Sequence, residues 1–138
     1  MTDSFQLEIV TPEKMVVRDT AESVQVPGLN GDLGILPGHA PLITELGAGE
    51  ITYLTNGQSH RFAVAWGFAE VLPDRVTVLA ETVERADEID VARALRALAN
   101  AEESLKSAHT ADDFSHATAK IRVAQARIEV AQKKDNPA

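Results

Sequence analysis

The chain has 138 residues, 44% of them apolar and 25% charged, with a formal net charge of −8 and no cysteine. That balance belongs to a globular protein with room for one domain, or a small domain plus an appendage. It excludes disulfides, thiolate nucleophiles and cysteine zinc sites, and it argues against a general nucleic-acid binder, which needs clustered Lys and Arg.

Residues Met1 to Ser4 offer neither a basic nor an apolar segment, so no export signal is expected there. Phe5, Leu7 and Ile9 alternate with Gln6 and Glu8, the period-2 pattern of a half-buried strand. Val24 and Val26 repeat it, and Gly and Pro then crowd the stretch from Pro27 to Gly49. Asn56-Gly57 predicts a two-residue hairpin turn, because both residues accept positive φ. A long strand follows, with Phe62, Val64, Trp66, Phe68 and Leu72 expected along one face. After the turn residues Pro73-Asp74, Arg75 to Leu79 predicts one more. Many short strands with such turns imply an antiparallel sandwich or barrel.

The period changes near Ala86. Asp87 is a candidate helix cap, with Asp90 three residues on. Val91, Leu95, Leu98 and Leu105 mark the expected stripe of a first helix, interrupted by Glu102. Lys106 to Thr110 forms a short polar link, so the two helices should lie antiparallel. Thr110 with Asp113 caps a second helix whose seam is Phe114, Ala117, Ile121, Ala124, Ile128 and Ala131, in alternating steps of three and four. Asn136-Pro137 closes the chain. The fold expected is therefore α+β: an antiparallel β-sandwich over residues 1–86, then an antiparallel two-helix hairpin over 87–138. No apolar run is long enough to cross a bilayer.

The two parts differ in charge. Residues 1–86 carry 12 acidic and 5 basic groups, and residues 87–138 carry 9 and 8. In the second helix Lys120, Arg122, Arg127, Lys133 and Lys134 have only Glu129 as a counter-charge beyond Ala117. Such a run is either a solvated face or a surface that meets an acidic partner. Both helices are rich in alanine, which favours helix locally but buries little area. The packing between them is thus easily exchanged for another surface, as in a bistable element, although a permanently packed cap has the same pattern.

Chemistry has little to stand on. Of the histidines His39, His60, His109 and His116, His116 lies close to two carboxylates at the start of the second helix: Asp112, four residues before it, and Asp113. Helix capping and exposed polar residues account for that cluster better than a metal does. No G-x-S-x-G, G-x-x-x-x-G-K-[ST] or G-x-G-x-x-G run occurs. Neither a catalytic residue nor a cofactor is expected.

The loop Gly31-Asp32-Leu33-Gly34-Ile35-Leu36-Pro37-Gly38-His39-Ala40-Pro41-Leu42 resembles that of epsilon subunits of bacterial rotary F-type ATP synthases. Trp66 to Val71, Val76 to Ala80, Glu88 to Ala94 and Arg127 to Ala131 agree with the same family in order and spacing. The resemblance implies a non-catalytic subunit at the cytoplasmic face of the plasma membrane, reaching the membrane only through its complex. Its sandwich would bind the gamma subunit and the polar loops of the c-ring, with Asp32 and His39 at the ring-facing end. Its hairpin would fold on the sandwich or extend toward the alpha and beta subunits, and extension would block ATP hydrolysis. Lys120, Arg122 and Arg127 are then the cations expected to meet the acidic beta subunits.

Some relatives bind ATP in the compact hairpin, and Ile89, Asp90, Arg93, Ala94 and Arg127 match that motif. Asn100 and Val123 stand where Arg or Lys would be expected, and Arg122 is out of register by about 100° around a helix. A triphosphate needs converging cations, so ATP binding is expected to be weak at most. Capping and an intrahelical ion pair also account for Asp90 and Arg93. Trp66 departs from the family pattern, where a small residue precedes Gly67, and a Trp needs space and a partner for its N–H. The competing readings are a small nucleotide-sensing regulatory protein and a metal enzyme built on Asp112 and His116.

Overall fold

The computed structural model describes residues 3–133. Seven strands precede the helices: β1 (Phe5–Val10), β2 (Met15–Ala21), β3 (Ser23–Gly28), β4 (Gly31–Ile35), β5 (Leu42–Thr55), β6 (Gln58–Val71) and β7 (Arg75–Arg85). They form one hydrogen-bonded sheet in the order β2-β1-β7-β6-β5-β3-β4. Every neighbouring pair is antiparallel except β1 and β7, which run parallel from Gln6↔Arg75 to Val10↔Leu79. The antiparallel sandwich expected from the turns holds at every neighbouring pair but this one. Turn chemistry governs only strands adjacent in sequence, and β1 meets β7 across five intervening strands.

The sheet folds over on itself. Tyr53 of β5 donates a hydrogen bond to Asp19 of β2 at 3.0 Å, although three strands separate them in the sheet. A single core fills the interior, and it is built from strand residues such as Leu7, Ile9, Val26, Ile51, Phe62 and Val76. The Asn56-Gly57 turn is as the sequence predicts: φ is +50° and +75°, and β5 and β6 meet across it.

The expected stripe along β6 is broken. Phe62 and Val64 face the core, but so do Ala69 and Val71, while Phe68 is 53% exposed. The core-facing parity switches at Trp66 and Gly67, whose φ angles are +58° and +149°. Two consecutive residues with positive φ reverse the alternation on which the stripe rested. A Cβ on Gly67 would lie 1.9 Å from the carbonyl oxygen of Leu79, so only glycine fits. Trp66 has no such exemption, and a bulky residue there costs on the order of 1–3 kcal/mol.

After a short 3-10 turn (Ala86–Glu88), the chain forms α1 (Val91–Lys106) and α2 (Ala111–Gln132). The cap of α1 is Asp90, whose carboxylate accepts from the Arg93 N–H at 3.1 Å; the expected cap Asp87 lies in the 3-10 turn instead. Thr110 caps α2 as expected, accepting from Asp113 N–H at 3.0 Å. Ala94 and Ala101 are the buried residues of α1, with Val91, Leu98 and Leu105 half-buried around them. Leu95 is 49% exposed, and on α2 Phe114 is 57% exposed, so both leave the expected stripes. Small alanines let the helices approach closely, and that draws the contact line through Ala94 and Ala101 rather than through Leu95.

Burial and the hydrogen bond to Asp19 push the Tyr53 hydroxyl up to about 12, against the ordinary 10.0. This folded value lies above the unfolded one, so the stabilisation is complete below pH 10 and is lost as pH rises through about 12. Tyr53 is the one tyrosine in the chain, so phenolate absorbance follows it without ambiguity. In alkaline titration the native protein should ionise near 12 and the urea-unfolded chain near 10.

Candidate functional site

Three surfaces carry the residues singled out by sequence. The first is the seam between hairpin and sandwich. Helix α2 presents two faces: Ala117 and Ala124 are buried toward α1, and Ala126 and Val130 are buried on the side that meets the sheet. Val130 packs with Ala63 of β6 and Ile89 of the linker, with Ala86 and Ala131 alongside. Ion pairs flank this patch. The Arg127 guanidinium holds the Glu84 carboxylate with both oxygens, at 2.7 and 3.0 Å. Lys133 Nζ lies 2.7 Å from a Glu50 oxygen, and Arg61 Nε lies 3.6 Å from the other. Arg61 also donates to the Lys133 backbone carbonyl.

The basic run of α2 is therefore divided rather than uniform. Arg127 and Lys133 find counter-charges on the sandwich, which corrects the expectation that Glu129 is their only neighbour of opposite sign. Lys120 and Arg122 are exposed. Lys134, Asn136 and Pro137 lie outside the described residues. Glu50 and Glu84 were not singled out by sequence reasoning. Their one signal is an excess of acid in residues 1–86 against a basic second helix, which names the sign of the partners but not their positions.

The second surface is the loop end. Asp32 sits on β4 opposite Pro27 and accepts from the Gln25 side-chain amide at 3.2 Å. It lines a cleft of about 370 Å³ shared with Glu50, Glu129 and Lys133. His39 is not a wall of that cleft. It lies in the turn after β4, where its Nδ1 is 2.7 Å from the Ala40 carbonyl oxygen. Gly38, at φ +84°, donates its N–H to the Pro73 carbonyl at 2.8 Å and ties this turn to the one between β6 and β7. Leu36 and Ile43 stand more than 60% exposed nearby in the chain.

The third surface is apolar. Register places Phe68 opposite Leu79, Leu79 opposite Val10, and Val10 opposite Met15. These four residues make one row across β6, β7, β1 and β2. Phe68 and Leu79 are each 53% exposed and Met15 is 42% exposed. The parity switch at Trp66 turns Phe68 outward, so uniform alternation along β6 could not have placed it in this row.

The residues matching an ATP motif are held in separate local contacts. Asp90 is committed to the α1 cap, Ile89 and Ala94 are buried, and Arg127 is held by Glu84. A cavity of about 410 Å³ does open between the helices and β6. Of the five residues, only Arg127 lines it, and Asn100 and Val123 line it too. Asp112 and His116 are exposed, and among the described residues no group of three His, Asp or Glu side chains is placed to hold a metal. Nor is any described helix long and apolar enough to cross a membrane.

Fold and surfaces define a two-part chain, a β-sandwich with a helical hairpin packed on it. Two family profiles divide the chain between them. Residues 4–86 match the beta-sandwich domain of the ATP synthase delta/epsilon chain, and residues 87–132 match its long alpha-helix domain. The chain belongs to the ATP synthase delta/epsilon chain family. The ATP synthase epsilon chain of Koribacter versatilis is 63% identical over 107 residues, 78% of this chain and 75% of that one. That of Herpetosiphon aurantiacus is 45% identical over 132 residues, 96% of this chain and 97% of that one. A chain of the Euglena gracilis mitochondrial ATP synthase, solved with OSCP, F1 and c-ring, superposes with a TM-score of 0.84 at 17% identity. That match covers 96% of this chain and 84% of the other, and it is a match of fold.

The seam makes a quantitative prediction. Arg127 and Glu84 are mostly shielded and paired through both oxygens, an arrangement that contributes on the order of 1–2 kcal/mol. A double-mutant cycle of Glu84→Gln and Arg127→Gln in thermal unfolding should return a coupling of about that size, shrinking in high salt. A coupling near zero would remove this pair from the account of docking.

Proposed function

We propose that the chain is a non-catalytic epsilon subunit of a bacterial ATP synthase rotor, in which the sandwich joins gamma to the c-ring and the hairpin restrains ATP hydrolysis. The observation that carries this reading is 45% identity over 96% of the chain to an ATP synthase epsilon chain. On this reading the chain divides by role: residues 1–86 dock, and residues 87–138 regulate.

The surfaces support the division. The apolar row of Val10, Met15, Phe68 and Leu79 suits a lasting contact with gamma, since lasting interfaces resemble an opened core. The loop end, with Asp32 and His39, suits the polar loops of the c-ring. The hairpin suits a restraint because its ion pairs with Glu50 and Glu84 can be traded for carboxylates on alpha and beta. Lys120 and Arg122 are exposed already, whereas Arg127 must first leave Glu84. ATP contact is weak on this reading, because the inter-helix cavity has two cationic walls, Lys120 and Arg127, and Glu84 neutralises the second. The chain then sits at the cytoplasmic face of the plasma membrane by way of its complex.

Co-purification tests the docking half: tagged chain should bring down gamma and c subunits. Phe68→Glu should weaken gamma capture at least about tenfold without lowering Tm by more than a few degrees, because the side chain is half exposed. Unimpaired capture would sink the assignment of that face. Hydrolysis by the assembled motor tests the other half. Truncation after Ala86 leaves the strand core intact and should raise ATP hydrolysis. Alanine at Lys120, Arg122 and Arg127 together should reproduce much of that gain, and an unchanged rate would remove the charge role.

A further inference from the structure

Trp66 is the chain's one tryptophan, and it occupies a position that ordinarily belongs to glycine or asparagine. At φ +58° its Cβ is crowded by its own backbone. The hydrogen-bond ladders to both neighbouring strands skip it: Ala65 and Gly67 pair with β5 and β7, and Trp66 does not. Nothing in the strand itself repays that strain. The side chain does find a place outside the sandwich. It lines a cavity of about 410 Å³ together with Ala97, Asn100 and Ala101 of α1 and Val123 and Ala124 of α2. The remaining grip of the hairpin on the sandwich belongs chiefly to α2; α1 is carried mainly by α2. Trp66 is thus a sandwich residue that lines one largely apolar cavity together with residues of both helices, where an indole ring can gain area by filling it.

We propose that Trp66 is a built-in docking residue that holds the hairpin compact without a bound ligand. The left-handed backbone aims the ring out of the sheet, and alanines on the helices leave room to receive it. The sandwich core is complete without this side chain, which is absent from its cluster of buried residues. The link of this ring to the hairpin is the cavity it shares with α1 and α2. This proposal rests on the reading above that the hairpin docks and undocks.

Hydrogen exchange on the isolated full chain tests it, comparing wild type with Trp66→Gly, Trp66→Asn and Trp66→Phe. Gly and Asn both accept the left-handed backbone. In either variant the amides of α1 and α2 should exchange at least about tenfold faster, while strands β1 to β7 keep or gain protection. Trp66→Phe should remain within about threefold of wild type in the helices, because it keeps most of the apolar ring. Helix exchange at the wild-type rate in both Gly and Asn variants would overturn the proposal. So would equal loosening of strands and helices, the signature of a residue that serves sandwich packing. Hydrolysis by motors assembled with Trp66→Gly separates the two levels. A looser hairpin with altered hydrolysis supports both; a looser hairpin with unaltered hydrolysis upholds the docking role and overturns the regulatory reading.

Discussion

Strand β6 is covered on both faces around Phe62 to Val64, and the arrangement of the rest follows from that constraint. Phe62 and Val64 fill the sandwich core on one side. On the other side Ala63 is buried beneath α2, where Val130 seats against it. Small residues on the outer face of β6 set how closely a helix can approach, and they also limit how much area the contact buries. The helix that fits must itself be small on that side, as Ala126 is. Having spent one face on the sheet, α2 has its alanine-rich seam left for α1. The result is a stack of sandwich, α2 and then α1, in which each outward layer is held by less.

This stacking explains which parts of the chain were legible from its sequence. Strands with one solvated face showed themselves: Phe5, Leu7 and Ile9 are all buried where the alternation put them. The Asn56-Gly57 turn is local chemistry and needed no tertiary context. The second helix's seam was legible from Ala117 to Ala131 because a heptad repeat survives packing. The parallel pairing of β1 with β7 was not legible, because no local residue specifies a partner seventy residues away. The first helix misled for a different reason. A stripe drawn through its leucines assumes that the largest side chains face inward. A close alanine contact rotates the helix so that Leu95 turns to solvent.

The candidate surfaces were less readable than the fold. Charge run and charge partner are different facts, and a sequence gives only the first. Arg127 and Lys133 read as members of a free basic face, yet each is engaged by a carboxylate of the other unit, 43 and 83 residues distant. The place of Phe68 in the apolar row was hidden by the parity switch. A reader who carries period 2 through Trp66 assigns Phe68 to the core. The positive φ of Trp66 and Gly67 is the fact that changes the answer, and Gly67 alone hinted at it.

The same features bear on how such a hairpin could move. An apolar contact between large side chains is hard to replace, because any new partner must match its shape. A contact made of alanines, one valine and a few ion pairs asks for much less. Any surface with room for a helix and carboxylates at suitable spacing offers comparable terms. Helix propensity keeps α1 and α2 helical while partners change, because alanine favours the helix without help from packing. Locking such an element takes a specific, bulky contact, and the seam from Ala63 to Val130 supplies none. Trp66 is the large sandwich side chain that lines the cavity beside both helices, and its strained backbone is accounted for by the proposed docking role rather than by the strand.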